Sequence, residues 1–316
     1  MLKHYYRTIK NYNCPPDKFD MKTRIYYFLV TLILFTVSLV YSQKQNDKVF
    51  IGVGFYKDII PEANMLDVQV SLKLWAGELN KLMGLNYQTD SKIFENYQEM
   101  VEAINKQQIH LSSMSSIDYI SIREQVPLSA ELTVGSGIDS LNQLVLLVHK
   151  DNSIHSLADL RNKIIVIPTS STGVMFKMWL DTELDKNNLP VSDQYFKEIK
   201  YSGKESQLVL TVFFKQNDAC VVYKSVFETM KKLNPQVGKS LVIIENSPEL
   251  VRSIICLTKK IDPRDRNIII NSALRLDSYS YGKQFQTLFR FDKVLPISDE
   301  NIKNIEKLVS DYNSIK

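Results

Sequence analysis

Cysteine is almost missing from this chain. Three occur in 316 residues, Cys14, Cys220 and Cys256, too few for a disulfide framework. The last two sit in apolar runs, Ala219-Cys220-Val221-Val222 and Ile254-Ile255-Cys256-Leu257, and are expected as buried free thiols. Histidine is scarce too, four in all with no His-x-x-x-His spacing, so no metal site is expected. There is no G-x-S-x-G elbow and no Walker phosphate loop, and Gly52 and Gly54 form a lone GxG without a third glycine. No cofactor and no catalytic residue is therefore assigned, and the chain is expected not to be an enzyme. A hydrolase using a hydroxyl stays open as a minor alternative, since a Ser-His-Asp triad needs no closeness in sequence.

An excess of one charge is also lacking. The formal net charge of +4 comes entirely from the first 42 residues, which hold six basic and two acidic side chains; the rest carries 33 of each. Neutrality and the want of a basic, aromatic-interleaved patch argue against a nucleic-acid partner. Those 42 residues read as an address. Met21-Lys22-Thr23-Arg24 gives a positive start, Ile25 to Val40 an apolar core, and Val40-Tyr41-Ser42 a small-residue cleavage pattern before Gln43, with residues 1–20 as an upstream extension. An exported, periplasmic or otherwise extracytoplasmic protein is expected. A retained membrane anchor is the rival, because the apolar run approaches the ~18–20 residues that span a bilayer.

What is present is alternation. Lys48 to Tyr56, Leu85 to Phe94 and Ile109 to Met114 read as strands, interleaved with helices over Met65 to Met83 and Tyr97 to Ile104. The pattern restarts after Leu144 to Val148, with strands at Ile164 to Ile167, Phe196 to Tyr201, Ala219 to Tyr223 and Leu241 to Glu245. It closes with Arg252 to Thr258 and helices near Pro263 to Leu276, Phe285 to Phe289 and Ile302 to Val309. This predicts an α/β chain of two doubly wound lobes on parallel sheets, joined by a two-strand hinge near Leu147 and Ile254. Residues 1–42 form the leader, 43–147 with 253–316 lobe 1, and 148–252 lobe 2. Ligands of such sheets lie beyond the carboxyl ends of the strands.

The stretch with most chemical content is Ile164 to Gly173. A β-branched run stops at Pro168 and breaks into Thr169-Ser170-Ser171-Thr172-Gly173, after which Val174 to Leu184 has helical spacing. Hydroxyls at that point serve as an ordinary N-cap, or combine with the free N–H groups and positive dipole end of the helix to hold an anion.

Taken in order, Leu157-Ala158-Asp159-Leu160-Arg161-Asn162-Lys163-Ile164, Ser170-Ser171-Thr172-Gly173, Ser202-Gly203-Lys204-Glu205 and Asn217-Asp218-Ala219-Cys220 resemble the phosphonate/phosphite-binding proteins of ABC transporters. The resemblance implies a type II periplasmic-binding-protein fold, a small anionic ligand clamped between two lobes, an ABC permease as partner, and a monomer. It favours the anion reading of Ser170, Ser171, Thr172 and Gly173. It also implies ligand contacts from Tyr56 after the first strand and from Ser115 and Ser116 at the helix start after the third. The chain departs from the family's Gly-x-His-Asp-like turn, reading Gly203-Lys204-Glu205-Ser206, and Tyr223 stands where an acidic or amide residue is common. Lys204, Glu205 and Tyr223 thus complete the candidate set, although a bare carboxylate at Glu205 would repel an oxyanion. A membrane-held sensor of the same fold is the alternative to a transport protein.

Overall fold

The computed structural model describes residues 50–59, 65–82, 87–135, 143–169, 173–289 and 291–315. The expected leader lies outside them. Among the described residues no helix is long and apolar enough to cross a membrane.

Two sheets organise the chain. The first has the order β11-β4-β10-β3-β1-β2, built from β1 (Phe50–Tyr56), β2 (Gln88–Phe94), β3 (Leu111–Ser115), β4 (Leu128–Gly135), β10 (Ser253–Thr258) and β11 (Lys293–Pro296). The second has the order β7-β6-β8-β5-β9, built from β5 (Gln143–His149), β6 (Ile164–Pro168), β7 (Glu198–Ser202), β8 (Ala219–Tyr223) and β9 (Leu241–Glu249). The interleaved helices are α1 (Met65–Leu82), α2 (Tyr97–Asn105), α3 (Ser116–Ile122), α4 (Gly173–Lys186), α5 (Ser192–Tyr195), α6 (Glu205–Phe213), α7 (Lys224–Leu233), α8 (Pro235–Ser240), α9 (Pro263–Leu274), α10 (Ser280–Phe289) and α11 (Asp299–Ile315). Strands β5 and β8 bury nearly every residue, the signature of sheets covered on both faces.

The expected parallel sheets are mixed. Parallel cores, β2-β1-β3 and β7-β6-β8, are each flanked by a strand running the other way: β10 beside β3, and β5 beside β8. The reason is the crossing itself. A chain that leaves one sheet at its carboxyl edge and enters the other sheet at the same edge must run antiparallel to the core it joins. The return crossing has three residues between Glu249 and Ser253, which span roughly 14 Å at most, so the two carboxyl edges lie close together. All seven residues of β5, Leu147 among them, pair within the second sheet. The first crossing therefore falls between Gly135 and Gln143, ahead of the expected position. Strands β4 and β11 were not expected: β4 buries its residues irregularly and β11 is a four-residue edge ending in proline.

The main apolar cluster runs without a break from Tyr56, Phe94 and Met114 to Leu146, Ile167 and Trp179, with Ile305 and Leu308 of α11 in it. Helix α4 buries side chains around most of its circumference, so it needs cover on more than its sheet side. That cover is α11, which packs on both α4 and α3, beyond the single-lobe role expected for it. Cys220 and Cys256 are buried free thiols on different sheets, and burial pushes both pKa values up.

Two histidines are held neutral by the fold. Nδ1 of His110 accepts from the Gly52 amide at 3.2 Å, and Nδ1 of His149 accepts from the Asp151 amide at 3.2 Å. Burial lowers the pKa of each, with Lys215 adding to the effect at His149. A histidine pKa below its unfolded value of about 6.5 contributes stability that is present above that pH and lost as pH falls through the folded value. Denaturant midpoints should therefore drop as pH is lowered from neutrality, and His110→Gln should flatten part of that slope. An unchanged slope in the variant would contradict the assignment.

Candidate functional site

Strand β6 ends because Pro168 can donate no ladder bond beyond it. Residues 170–172, the centre of the expected anion cradle, lie outside the described residues, but both of their flanks are defined. Upstream, the Thr169 amide donates to the Ser202 carbonyl at 3.0 Å. Downstream, Gly173 opens α4 so close to the end of β6 that a Cβ there would lie 2.3 Å from the Pro168 carbonyl oxygen. This glycine is required by space.

Glu205 begins α6 just beyond β7, and its Oε2 accepts from the Tyr223 amide at the end of β8 at 2.9 Å. Since β6 lies between β7 and β8, a side chain reaching from one to the other crosses the end of β6. The carboxylate is not bare. Arg252, between β9 and β10, donates to Glu205 Oε1 at 3.2 Å, and its guanidinium lies 4.2 Å from the centroid of the Tyr223 ring. Burial works against the charged guanidinium, yet Glu205 and the Tyr223 hydroxyl together outweigh it and the Arg252 pKa ends raised. Burial pushes the Tyr223 phenol up, with Arg252 opposing, so the ring stays neutral. Phe176 of α4 meets the same ring edge-on at 5.0 Å.

The facing edge comes from the first sheet. Ser115 caps α3 by accepting from the Asp118 amide at 3.2 Å. The Ser116 amide donates to the Arg252 carbonyl at 3.3 Å, and its hydroxyl contacts Met175 Sδ of α4 at 4.0 Å. Tyr56, at the end of β1, is buried and stacks on Tyr97 with centroids 3.8 Å apart. The structure thus brings Ser116, Glu205 and Tyr223 to one junction against Met175 and Phe176 of α4, two and three residues after Gly173, with Tyr56 and Ser115 on the first-sheet side. Lys204 precedes α6 as an exposed N-cap residue without a side-chain cap bond.

Sequence reasoning did not single out Arg252. The available signal was a lone basic residue inside Leu250-Val251-Arg252-Ser253-Ile254, at the second crossing and between buried neighbours. Among the described residues no group of His, Cys, Asp and Glu could hold a metal ion. Two surface hollows, of about 340 Å³ beside Lys283 and Phe291 and about 220 Å³ between Phe50 and Ile109, lie away from this junction.

Two α/β sheets crossed twice by the chain, with their carboxyl edges turned toward each other, define the fold of the periplasmic binding proteins. The solved structures agree. A binding protein component of an ABC phosphonate transporter from Pseudomonas aeruginosa is 15% identical, with a TM-score of 0.52 over 85% of this chain and 88% of that one. PhnD1 from Prochlorococcus marinus, solved with methylphosphonate, is 19% identical, with a TM-score of 0.54 over 84% and 98%. XAC2383 from Xanthomonas citri, solved with ATP, is 12% identical, with a TM-score of 0.57 over 85% and 98%. No curated protein compared with the chain matches it. Residues 63–302 match the family described as ABC transporter, phosphonate, periplasmic substrate-binding protein, and the chain belongs to that family of solute-binding components of importers.

Proposed function

We propose that this family member binds a small oxyanion-bearing molecule, such as a phosphonate, phosphite, phosphate or sulfonate, at the junction of the two carboxyl edges. It would deliver that molecule to an ABC permease without chemical change. The observation that carries the reading is the meeting of Ser116, Glu205 and Arg252 from three elements against the first turn of α4, whose Met175 and Phe176 touch Ser116 and Tyr223. Helix-end amides, hydroxyls and a guanidinium are the donors an oxyanion needs. Residues 43–147 with 253–316, and 148–252, serve as the two lobes, adjusted so that β5 moves with the second. They open and close at the crossings between 135 and 143 and at 250–252. Export by the leader and action as a monomer complete the reading.

Thermal unfolding of the purified protein against methylphosphonate, phosphite, phosphate, methanesulfonate and small carboxylates tests it. A binder at a hundredfold excess over its Kd adds about 2.7 kcal/mol of stability. The Ser170→Ala plus Thr172→Ala variant should lose the shift while melting near the wild-type temperature without ligand. Failure of every oxyanion would contradict the proposal, and a large ligand-free loss in the variant would favour simple capping.

A further inference from the structure

The guanidinium of Arg252 is the one feature of this junction that the sequence pattern did not lead to, and its setting is unusual. Its side chain is 36% exposed, although the segment carrying it links two sheets and its neighbours Val251 and Ser253 are buried. Its plane is fixed from below by the ring of Tyr223, which is 1% exposed. It is fixed from the side by one bond to Glu205, whose own side chain is 15% exposed and tied to the Tyr223 amide. A guanidinium has five N–H donors in a rigid fork, and Glu205 takes one of them. Here a carboxylate and an aromatic ring hold the fork in place while about a third of the side chain stays exposed.

We infer that Arg252 is the cationic, specificity-determining contact for the ligand, and that Glu205, by cancelling its charge, fits the junction to oxyanions carrying a single negative charge. This deepens the proposed function and rests on it. The Ser116 amide bonded to the Arg252 carbonyl puts the start of α3 directly beside the arginine. The Glu205 side chain reaches from the start of α6 to the Tyr223 amide at the end of β8. An oxyanion entering this junction would meet the exposed edge of the guanidinium, whose planar fork suits two oxygens of a tetrahedral group. The titratable groups facing Arg252 are Glu205 from α6 and Tyr223 from β8; the phenol stays neutral, so arginine and carboxylate sum to zero. A second negative charge on the ligand would then meet Glu205, whose own charge already balances Arg252. Lys204 does not offset it, being exposed ahead of α6.

The test uses calorimetry on the full chain with two probes of similar size. Methanesulfonate keeps one charge at all working pH values, whereas methylphosphonate gains a second as pH rises through its second ionisation. Wild type should bind methanesulfonate evenly across that range and methylphosphonate more weakly at its upper end. Glu205→Gln should remove that weakening. Arg252→Met should weaken both probes roughly 10- to 100-fold, the scale of a lost charged hydrogen bond. Arg252→Lys, which keeps the charge but not the fork, should recover part of the loss. If Arg252→Met does not fold, the lysine variant and the charge preference of Glu205→Gln still decide the matter. Wild-type affinity in Arg252→Met, or an unchanged charge preference in Glu205→Gln, would overturn the inference while leaving oxyanion binding intact. Absence of any oxyanion binding by wild type would overturn the proposed function and this inference with it.

Discussion

Lys177→Met is expected to lower stability by about 3–5 kcal/mol, the cost of leaving a buried charge without its partner. Asp181 of α4 is 2% exposed. Its Oδ2 receives the Lys177 ammonium at 2.9 Å, and its Oδ1 receives the Ser192 amide at 2.7 Å. Lys177 also donates to the Ser192 hydroxyl at 2.9 Å and pairs with Asp193 at 3.1 Å, which pins α5 to α4. Burial pulls the lysine pKa down, but the Asp181 and Asp193 carboxylates together outweigh it and the pKa ends raised. Methionine matches the stem of the lysine and removes only the charge, so the deficit falls on Asp181. The double variant Lys177→Met, Asp181→Leu should recover most of the loss, because removing both charges leaves no uncompensated ion. Urea unfolding measures both. A single-variant loss below about 1 kcal/mol would place this pair with ordinary exposed ion pairs.

Gly173→Ala is expected to abolish oxyanion binding. The new Cβ would sit 2.3 Å from the Pro168 carbonyl oxygen, a backbone atom at the end of a paired strand that cannot swing aside as a flexible side chain could. The start of α4 must move instead, and with it the amides that face the ligand. Overpacking of this kind costs about 1–3 kcal/mol, which a domain of this size should survive folded. The variant should therefore melt cooperatively, several degrees early, and give no thermal shift with any oxyanion that shifts wild type. Wild-type affinity would mean that the ligand does not lie against the start of α4.

Much of the fold was legible because apolar runs and helical spacing alternate cleanly. Strand β6 buries a continuous β-branched segment and β1, β3 and β8 bury nearly every residue, and α2 shows its cap at Asn96 and its buried face at Met100, Val101 and Ile104. Strand direction at the crossings was not legible, since it follows from which edge of each sheet the chain leaves. The break at Pro168 to Gly173 and the departure at Glu205 could both be read locally. Their partner could not: Arg252 lies 47 positions from Glu205 in a segment whose pattern reads as a strand entry. The repulsion foreseen at Glu205 is resolved by that arginine, a contact between two sheets that no local pattern records.

The most direct test of the account is a crystal structure of the protein grown with saturating methanesulfonate or methylphosphonate. The account places the oxyanion between the start of α4 at Gly173 and the guanidinium of Arg252, with Ser116 on the first-sheet side. An anion bound elsewhere on the molecule, or an empty junction at a concentration that saturates binding in solution, would contradict it.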